Sequence, residues 1–204
     1  NQAWIKSVLF SLGTAFGGLH AIAADAPTAA DKGATAIFAG GCFWCTESDF
    51  EKVPGVIAAE SGYTGGKKTN PTYEEVSAGG TGHTEAVRVT YDPARVNYAQ
   101  LVEYFWHTID PTVRNRQFCD VGSQYRSAIF WQTEEERTIA ERSRDALLAS
   151  GRFKEIQTEI VKAGTFYPAE AYHQDYYKKN PLRYSYYRHG CGRDDRLKEL
   201  WGGK

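Results

Sequence analysis

The chain has 204 residues, of which 42% are hydrophobic, so it is long enough to fill one domain with a sizeable core and to carry extensions. Its formal net charge of -1 at pH 7 gives no electrostatic reason to expect nucleic acid or an anionic membrane surface as a partner. Its four cysteines leave disulfide, redox and metal chemistry open.

The first residues have the pattern of an export signal. Lys6 precedes an apolar stretch over residues 8–16, and an A-x-A pattern follows at residues 21–23. A positive region, a short apolar stretch and such an end are typical of a secretory signal, and the glycine-broken stretch is short for a membrane span. We therefore expect residues 1–23 to be a signal peptide and residues 24–33 a linker. Export to a periplasm follows from this, and without a signal the protein would be cytoplasmic.

After the linker, short apolar strands alternate with helical patterns. Apolar runs and period-two alternation predict the strands, and apolar residues at helical spacing predict the helices. Thr133 with Glu136 has the pattern of a capping box. In chain order we predict strand 34–39, helix 42–52, strand 56–63, strand 84–91, helix 98–109, strand 126–131, helix 133–151, strand 156–161 and helix 170–179.

The order of these elements predicts the fold class. A β-α-β-β-α-β order is typical of an α/β (α+β) ferredoxin-like two-layer sandwich, here with an added helix and strand. We expect the catalytic domain to comprise residues 34–182. Pro181 is expected to close the last helix, and residues 183–204 to form an irregular coil tail that carries Cys191.

Cys42 is the candidate reactive residue. It lies where the first predicted strand turns through Gly40 and Gly41 into the first helix. The positive end of a helix dipole lowers the pKa of a thiol placed there, and the thiolate is the reactive form of cysteine. We therefore expect Cys42 to be a reactive thiolate.

The spacing of the cysteines bears on which chemistry this is. Cys42 and Cys45 form a C-x-x-C pair, whereas Cys119 and Cys191 stand alone. Two structural disulfides are one possibility in an exported protein. Against it, a C-x-x-C bridge closes a small loop and stabilises little, so such pairs are usually redox-active or metal-binding. A zinc site would need a second closely spaced pair of ligands, which the sequence lacks, so redox chemistry is favoured.

Glu85 is the candidate acid. It shares one face of the strand 84–91 with Val87 and Val89, which is the apolar and therefore buried side. A carboxyl buried there is either paired with a partner or protonated with a raised pKa, and the second state would make it a general acid near neutral pH. The alternative is a glutamate at the solvated end of the strand, and alternation does not separate the two.

Several motifs then occur in a fixed order along the chain. They are GCFW at 41–44, GYTGG at 62–66, NPTY at 70–73, TGHTEAV at 81–87, DVGSQYRS at 120–127 and AYHQDY at 171–176. In this order they resemble the peptide methionine sulfoxide reductases of the A type, which act on the S epimer of the sulfoxide. The resemblance extends from about Ile37 to the end of the chain.

The resemblance implies roles for the residues of these motifs. Cys42 would attack the sulfur of the sulfoxide. Glu85, with the hydroxyl groups of Tyr73 and Tyr125, would bind the sulfoxide oxygen and deliver protons to it. Asp120 would orient the site, through a water molecule in one reading.

It also implies a substrate pocket and a second cysteine. Phe43 and Trp44 would form an apolar recess for the methyl group. The attack would leave Cys42 as a sulfenic acid. A second thiol would then condense with this sulfenic acid to form a disulfide. The candidates for this resolving or recycling thiol are Cys191, Cys45 and Cys119, and the sequence does not choose among them.

The resemblance further implies which partners the protein has. It requires no metal or organic cofactor, and an external dithiol such as thioredoxin or a periplasmic equivalent would reduce the disulfide. The substrates would be oxidised proteins and peptides and free methionine sulfoxide. We expect a monomer without nucleic acid partner or stable membrane span. The alternatives are a general thiol–disulfide oxidoreductase that does not use Glu85, and an exported zinc- or peptide-binding module.

Overall fold

The computed structural model describes residues 33–202. The predicted signal peptide and residues 24–32 of the predicted linker lie outside the described residues. Within residues 33–202, none of the helices combines the length and apolar character needed to cross a bilayer.

A six-stranded sheet forms the centre of the described structure. The strands in chain order are β1 (Ala34–Gly40), β2 (Val56–Thr64), β3 (Thr84–Tyr91), β4 (Arg116–Gln117), β5 (Asp120–Val121), β6 (Ser127–Trp131), β7 (Glu159–Lys162) and β8 (Tyr167–Pro168). The order across the sheet is β7-β6-β1-β3-β2-β8, and β4 pairs with β5 in a separate small hairpin.

Seven α-helices are described with these strands. They are α1 (Phe43–Phe50), α2 (Tyr73–Ala78), α3 (Tyr98–Trp106), α4 (Glu134–Ala149), α5 (Tyr176–Lys179), α6 (Pro181–Gly190) and α7 (Arg193–Trp201). A short 3-10 turn at Ser123–Tyr125 precedes β6.

The predicted sandwich is confirmed. The strands β6-β1-β3-β2 are antiparallel neighbours and are connected through α1 and α3, as the β-α-β-β-α-β order predicts. The added helix and strand are α4 and β7, because β7 pairs in parallel with β6 after a crossover through α4.

Aromatic packing fixes α1 on the sheet. Phe38 of β1 stacks on Phe50 of α1 with 4.8 Å between ring centroids, and on Phe105 of α3 with 5.0 Å. All three side chains are fully buried, and burial of each contributes about 1.5–3 kcal/mol to folding. The start of α1, which carries Cys42, is therefore held against the end of β1.

The helix α2 was not predicted. Residues 73–78 form α2, and the turn before them has the capping box that the spacing of Thr72 and Glu75 encodes. The Thr72 hydroxyl accepts from the Glu75 N–H, and the Glu75 carboxylate accepts from the Thr72 N–H at 3.0 Å. The helix is short and carries little apolar periodicity, so its cap is the stronger signal.

The C-terminal predictions were wrong in two respects. The predicted helix 170–179 is confined to α5, because Asp175 has the left-handed backbone conformation (φ 54°) and ends the turn before it. Pro181 does not close a helix but occupies the first position of α6, where its missing N–H has no intrahelical partner to lose. The predicted coil tail is instead largely the helices α6 and α7.

Candidate active site

The turn between β1 and α1 presents Cys42. Gly41 has φ +84°, and a Cβ atom on it would lie 2.5 Å from the Cβ of Gln117, so the position admits only glycine. Cys42 then acts as the N-cap residue of α1, and its carbonyl accepts from the Thr46 N–H at 3.2 Å. The sulfur thus lies at the helix start, as predicted.

Glu85 lies beside this helix start. The Phe43 N–H donates to Glu85 Oε2 at 2.9 Å, which joins β3 to the first turn of α1. The Glu85 side chain is buried, at 2% exposure, rather than at the solvated end of the strand. Burial is the largest influence and raises the pKa of Glu85 to about 8. The carboxyl group therefore holds its proton at neutral pH.

The pKa values of the Cys42 and Cys45 thiols differ from the expectation that the helix start makes Cys42 a thiolate. Burial raises the pKa of Cys42 well above its usual value, and the adjacent Cys45 and Glu85 raise it further. The prediction of a resting Cys42 thiolate was therefore wrong, because α6 covers the helix start and removes the solvent that would stabilise the charge. A hydrogen bond from Cys42 instead lowers the pKa of Cys45 to about 7.

Tyr187 of α6 covers Cys42. Its hydroxyl donates to Asp120 Oδ2 at 2.5 Å, and its side chain packs against the cluster that contains Cys42 and Cys45. Its ring meets Trp44 edge-on, with 5.9 Å between centroids. Tyr187 therefore connects Asp120 to the cover of Cys42, and Tyr187 was not among the predicted site residues.

The two aromatic residues after Cys42 have different surroundings. Phe43 is 1% exposed and packs against Tyr63, Tyr73 and His173. Trp44 is half-buried and stacks on Tyr176 with 3.7 Å between ring centroids. Of the two predicted pocket residues, Trp44 is the one that offers surface beside the sulfur.

His173 fixes the Trp44 indole. The Trp44 Nε1–H donates to His173 Nδ1 at 3.0 Å, which requires the imidazole proton to sit on Nε2. His173 is 1% exposed, and burial lowers its pKa, so the ring is neutral at neutral pH. Its place in the AYHQDY motif was the only sequence signal for this role.

Tyr73 and Tyr125 lie on the remaining side of the site. Tyr73 begins α2, and its N–H donates to Glu170 Oε1 at 2.8 Å. Tyr125 ends the short 3-10 turn. Burial raises the pKa of both hydroxyl groups, and the neighbouring Glu85 raises it further. Both phenols are therefore neutral proton donors near the thiol.

The other two cysteines are bonded to each other. Cys119 and Cys191 form a disulfide across 72 residues, while Cys42 and Cys45 are free and buried. Cys119 is exposed and adjoins Asp120, with its Sγ 3.8 Å from Asp120 Oδ1. Cys42 and Cys45 thus form a buried dithiol, and the accessible Cys119–Cys191 disulfide lies beside the Asp120 carboxylate.

Buried ionic groups attach the C-terminal segment to the site, and sequence reasoning did not identify them. Arg193 of α7 donates to the carbonyls of Gly40 at 3.1 Å and Thr108 at 2.8 Å. Glu47 of α1 accepts from the Asp175 N–H at 2.6 Å and from the Ser61 hydroxyl. Burial raises the pKa of Glu47 to about 7. A charged residue in a polar tail carries no signal that it will be buried.

The side chains that could together bind a metal ion lie apart from Cys42 and Cys45. Within residues 33–202, the two groups of close donor atoms are Cys119 with Asp120 and Cys191, and Glu47 with Glu51 and Asp175. Neither group includes Cys42 or Cys45. The first group has its sulfurs joined as a disulfide, and Lys178 forms an ion pair with Glu51 and Asp175 of the second.

Comparison with known proteins identifies relatives over most of the chain. Residues 34–204 match the family model described as peptide methionine sulfoxide reductase. Peptide methionine sulfoxide reductase MsrA 2 of Caulobacter vibrioides is 53% identical over 186 residues, which cover 91% of this chain and 94% of that protein.

Solved structures agree with this match. Methionine sulfoxide reductase A of Corynebacterium diphtheriae superposes with a TM-score of 0.65 at 41% identity, over 72% of this chain and 75% of that one. Mxr1 from Saccharomyces cerevisiae in reduced form superposes with a TM-score of 0.69 at 31% identity, over 74% and 87% of the two chains.

Proposed function

The chain belongs to the peptide methionine sulfoxide reductase family and reduces methionine (S)-sulfoxide, and we propose that Cys42 is the attacking sulfur and Cys45 the resolving thiol. The observation that carries this proposal is the pairing of a helix-start thiol with a buried, protonated carboxyl group. Phe43 N–H places Glu85 at Cys42, and the pKa of Glu85 of about 8 keeps a proton available.

The first step transfers oxygen from the substrate to Cys42. The thiolate attacks the sulfoxide sulfur while Glu85 gives its proton to the sulfoxide oxygen, with Tyr73 and Tyr125 as further donors. The oxygen passes to Cys42 as a hydroxyl group, and methionine leaves. The substrate sulfur gains two electrons and the Cys42 sulfur loses two. The Cys42 thiol gives up its proton to solvent, and Glu85 regains a proton from solvent afterwards.

Cys45 is the best placed thiol for the second step. It is hydrogen-bonded to Cys42, and its lowered pKa favours the thiolate that this step needs. Attack of the Cys45 sulfur on the sulfenic sulfur forms the Cys42–Cys45 disulfide, and the hydroxyl group leaves as water with the proton that the Cys45 thiol gives up. Positions three apart lie on one helix face, so the two sulfurs can meet with little movement.

We assign the Cys119–Cys191 pair to recycling. An external dithiol of the thioredoxin type reduces this accessible disulfide to two thiols by exchange. Cys191 then attacks the Cys42–Cys45 disulfide, and Cys119 displaces the mixed disulfide. This restores the buried dithiol and the Cys119–Cys191 bond. The family relationship supports a dithiol reductant rather than a bound cofactor.

The substrate recess is proposed to lie against Trp44. The indole offers an apolar wall beside Cys42 for the methyl group, and Phe43 supports it from the core. Methionine sulfoxide in oxidised proteins and peptides, and the free amino acid, are the proposed substrates.

Methionine counting without added reductant tests the cysteine roles. The double variant Cys119→Ser/Cys191→Ser, reduced and then freed of dithiol, is expected to form a single methionine per chain from the S epimer and none from the R epimer. The fully reduced wild type is expected to form a second methionine, because the outer pair reduces the inner disulfide. Adding Cys45→Ser to the double variant should leave a sulfenic acid at Cys42 that dimedone traps.

Other outcomes would contradict individual assignments. A disulfide-forming Cys45→Ser variant would show that another thiol resolves Cys42. Equal yields from the wild type and the double variant would remove the recycling role of Cys119 and Cys191. Absence of methionine from either epimer, with disulfide exchange retained, would instead support a general thiol–disulfide oxidoreductase.

We also propose that the protein is exported to a periplasm. The support is the basic residue, apolar stretch and A-x-A pattern of residues 1–23. The full-length chain is expected in the periplasmic fraction, shortened at its N-terminus, and a variant lacking residues 1–23 in the cytoplasm. Full-length protein found uncleaved in the cytoplasm would contradict export.

A further inference from the structure

We propose that an external dithiol protein attacks the Cys119 sulfur of the Cys119–Cys191 disulfide and releases Cys191 as the thiolate. The assignment rests on the proposed recycling by this pair. It makes the turn between β4 and β5 the place that the reductant contacts.

The turn between β4 and β5 presents Cys119 at the surface. The strands pair Gln117 with Asp120, so Phe118 and Cys119 form a two-residue turn. Phe118 has φ +53°, a conformation that a side chain of this size rarely adopts. The Arg193 guanidinium lies over the Phe118 ring, 4.5 Å from its centroid. This contact holds the turn in place, and Cys119 stays exposed in it.

Cys191 is the less accessible of the two sulfurs. It is half-buried and borders a recess of about 360 Å³, whose lining includes Asp110, Arg116 and Arg196. A sulfur on the surface of a folded reductant meets an exposed turn before it enters such a recess. Access therefore favours attack at Cys119.

Hydrogen bonding favours Cys191 as the sulfur that leaves. The Cys119 N–H donates to Cys191 Sγ at 3.2 Å. A backbone donor stabilises a thiolate more than a neutral sulfur, because hydrogen bonds to ionised acceptors are the stronger ones. In a thiol–disulfide exchange, the sulfur that is the more stable thiolate leaves faster. The bond therefore prepares Cys191 to depart.

The carboxylate of Asp120 disfavours the opposite direction of exchange. Asp120 Oδ1 lies 3.8 Å from Cys119 Sγ. A negative charge at this distance raises the free energy of a thiolate on Cys119. The other carboxylate oxygen accepts from the Tyr187 hydroxyl at 2.5 Å, which fixes the carboxylate beside the sulfur. Cys119 is thus the poorer leaving sulfur.

The exchange balances in two steps. A thiolate of the reductant forms a bond to Cys119 Sγ as the bond between Cys119 and Cys191 breaks, and the electron pair of that bond goes to Cys191. The second thiol of the reductant then attacks the reductant's own sulfur in the mixed disulfide and releases Cys119. The reductant has lost two electrons and the pair has gained two. The two thiol protons of the reductant pass to solvent and are available there to the released sulfurs.

Trapping the mixed disulfide tests which sulfur is attacked. The probe is a thioredoxin whose second cysteine is replaced by serine, so it attacks but cannot complete the reduction. Wild-type protein with the Cys119–Cys191 bond is mixed with the probe, quenched in acid within seconds and digested at low pH, where exchange stops. Mass spectrometry of the earliest samples is expected to find the probe's peptide on Cys119 in roughly tenfold excess over Cys191. Equal amounts, or an excess on Cys191, would overturn the proposal.

Alkylation of the fully reduced protein tests the leaving order separately. Iodoacetamide reacts with thiolates, so labelling of Cys191 is expected to begin at a lower pH than labelling of Cys119. Asp120→Asn should move the labelling of Cys119 to lower pH, because it removes the adjacent negative charge. The matched control is Asp195→Asn, an exposed aspartate on α7, which should leave the labelling of Cys119 unchanged. The reverse order of the two cysteines, or no effect of Asp120→Asn, would contradict Cys191 as the leaving sulfur.

The failure modes are distinct. If the wild type forms no methionine even with dithiothreitol, the proposed function itself fails. If the wild type and Cys119→Ser/Cys191→Ser turn over equally fast with intact thioredoxin, the pair has no recycling role and the reductant does not act at Cys119. If the pair recycles and the probe is found on Cys191 or on neither cysteine, only the assignment of the attacked sulfur is wrong.

Discussion

Two regions build the site by different means. The frame, which comprises β1, α1 and β3, supplies Cys42 and Glu85 and is held by sheet register and apolar packing. The C-terminal cover, residues 170–201, supplies Tyr187, His173 and Arg193 and is held by aromatic contacts, buried ion pairs and the disulfide. Changes in the frame are therefore expected to affect the chemistry, and changes in the cover to affect stability and the state of the thiol.

The largest effect is expected in the frame. Glu85→Gln keeps the shape and the bond from Phe43 N–H but cannot give up a proton, and we expect single-turnover methionine formation to slow by about 10²- to 10⁴-fold. The pKa of Glu85 is raised to about 8, so the acid form is lost as the pH rises through that value. The wild-type rate should therefore fall on the alkaline side, and the variant should lack this decrease.

Glu60→Gln is the matched control for that experiment. Glu60 lies on the neighbouring strand β2 and forms its ion pair with Arg88, away from the thiol. The Glu60→Gln variant should show the wild-type rate of methionine formation and the wild-type pH dependence of that rate. A Glu85→Gln rate within a few-fold of wild type would show that the proton comes from another group.

The next largest effect is expected where the cover meets the frame. Arg193→Met removes two hydrogen bonds to carbonyls and one buried partner of Asp49, and we expect the free energy of unfolding to fall by about 3 kcal/mol. Urea unfolding measures this loss. Arg137→Met, which removes exposed ion pairs on α4, is the control. Its free energy of unfolding should equal that of the wild type.

If Arg193→Met unfolded like its control, the cover would not depend on this anchor. Iodoacetamide labelling of Cys42 gives a second readout of the same contact. Loss of the anchor should speed labelling, because α7 no longer holds α6 over the sulfur.

A smaller effect is expected at the Trp44 wall. His173→Phe keeps an aromatic ring against Phe43 but leaves the Trp44 Nε1–H without its acceptor, at a cost of about 1–3 kcal/mol in stability. The KM for a sulfoxide peptide should rise, because the indole is no longer fixed. The control Tyr172→Phe changes an exposed neighbour and should alter neither quantity. An unchanged KM with reduced stability would assign His173 to packing alone.

The smallest effect is expected from loss of a helix cap. It tests whether the position of Tyr73, rather than the stability of the fold, limits the rate. Thr72→Ala removes the cap of α2 and should cost about 1 kcal/mol, and it should also slow single turnover because α2 places Tyr73. Thr133→Ala removes the cap of α4 at a similar cost but lies away from the thiol. Equal rates for the two variants would show that the position of Tyr73 does not depend on the cap.

The sequence predicted the frame because local patterns encode it. The glycine turn before Cys42 and the alternation around Glu85 are properties of neighbouring residues, and the motif order identified their family. The sandwich followed from the element order alone.

The cover was not predictable in the same way. The helix α6 is rich in Tyr and Arg and α7 is rich in charged residues, so their buried faces do not show the apolar periodicity on which the prediction depends. The place of Tyr187 in the cover depends on its bond to Asp120, which lies 67 residues away in the sequence. The raised pKa of Cys42 likewise depends on burial by α6, which the isolated helix start does not reveal.

The Cys119–Cys191 bond also has a mechanical consequence. It closes a covalent ring between two cysteines that are 72 positions apart in the sequence, and this ring includes β6, α4 and β7. A force applied between the two chain ends cannot extend this ring, which hides roughly 250 Å of contour length at about 3.5 Å per residue. A single molecule stretched before and after treatment with a dithiol would therefore report, by its unfolded length, whether the outer pair is oxidised or reduced.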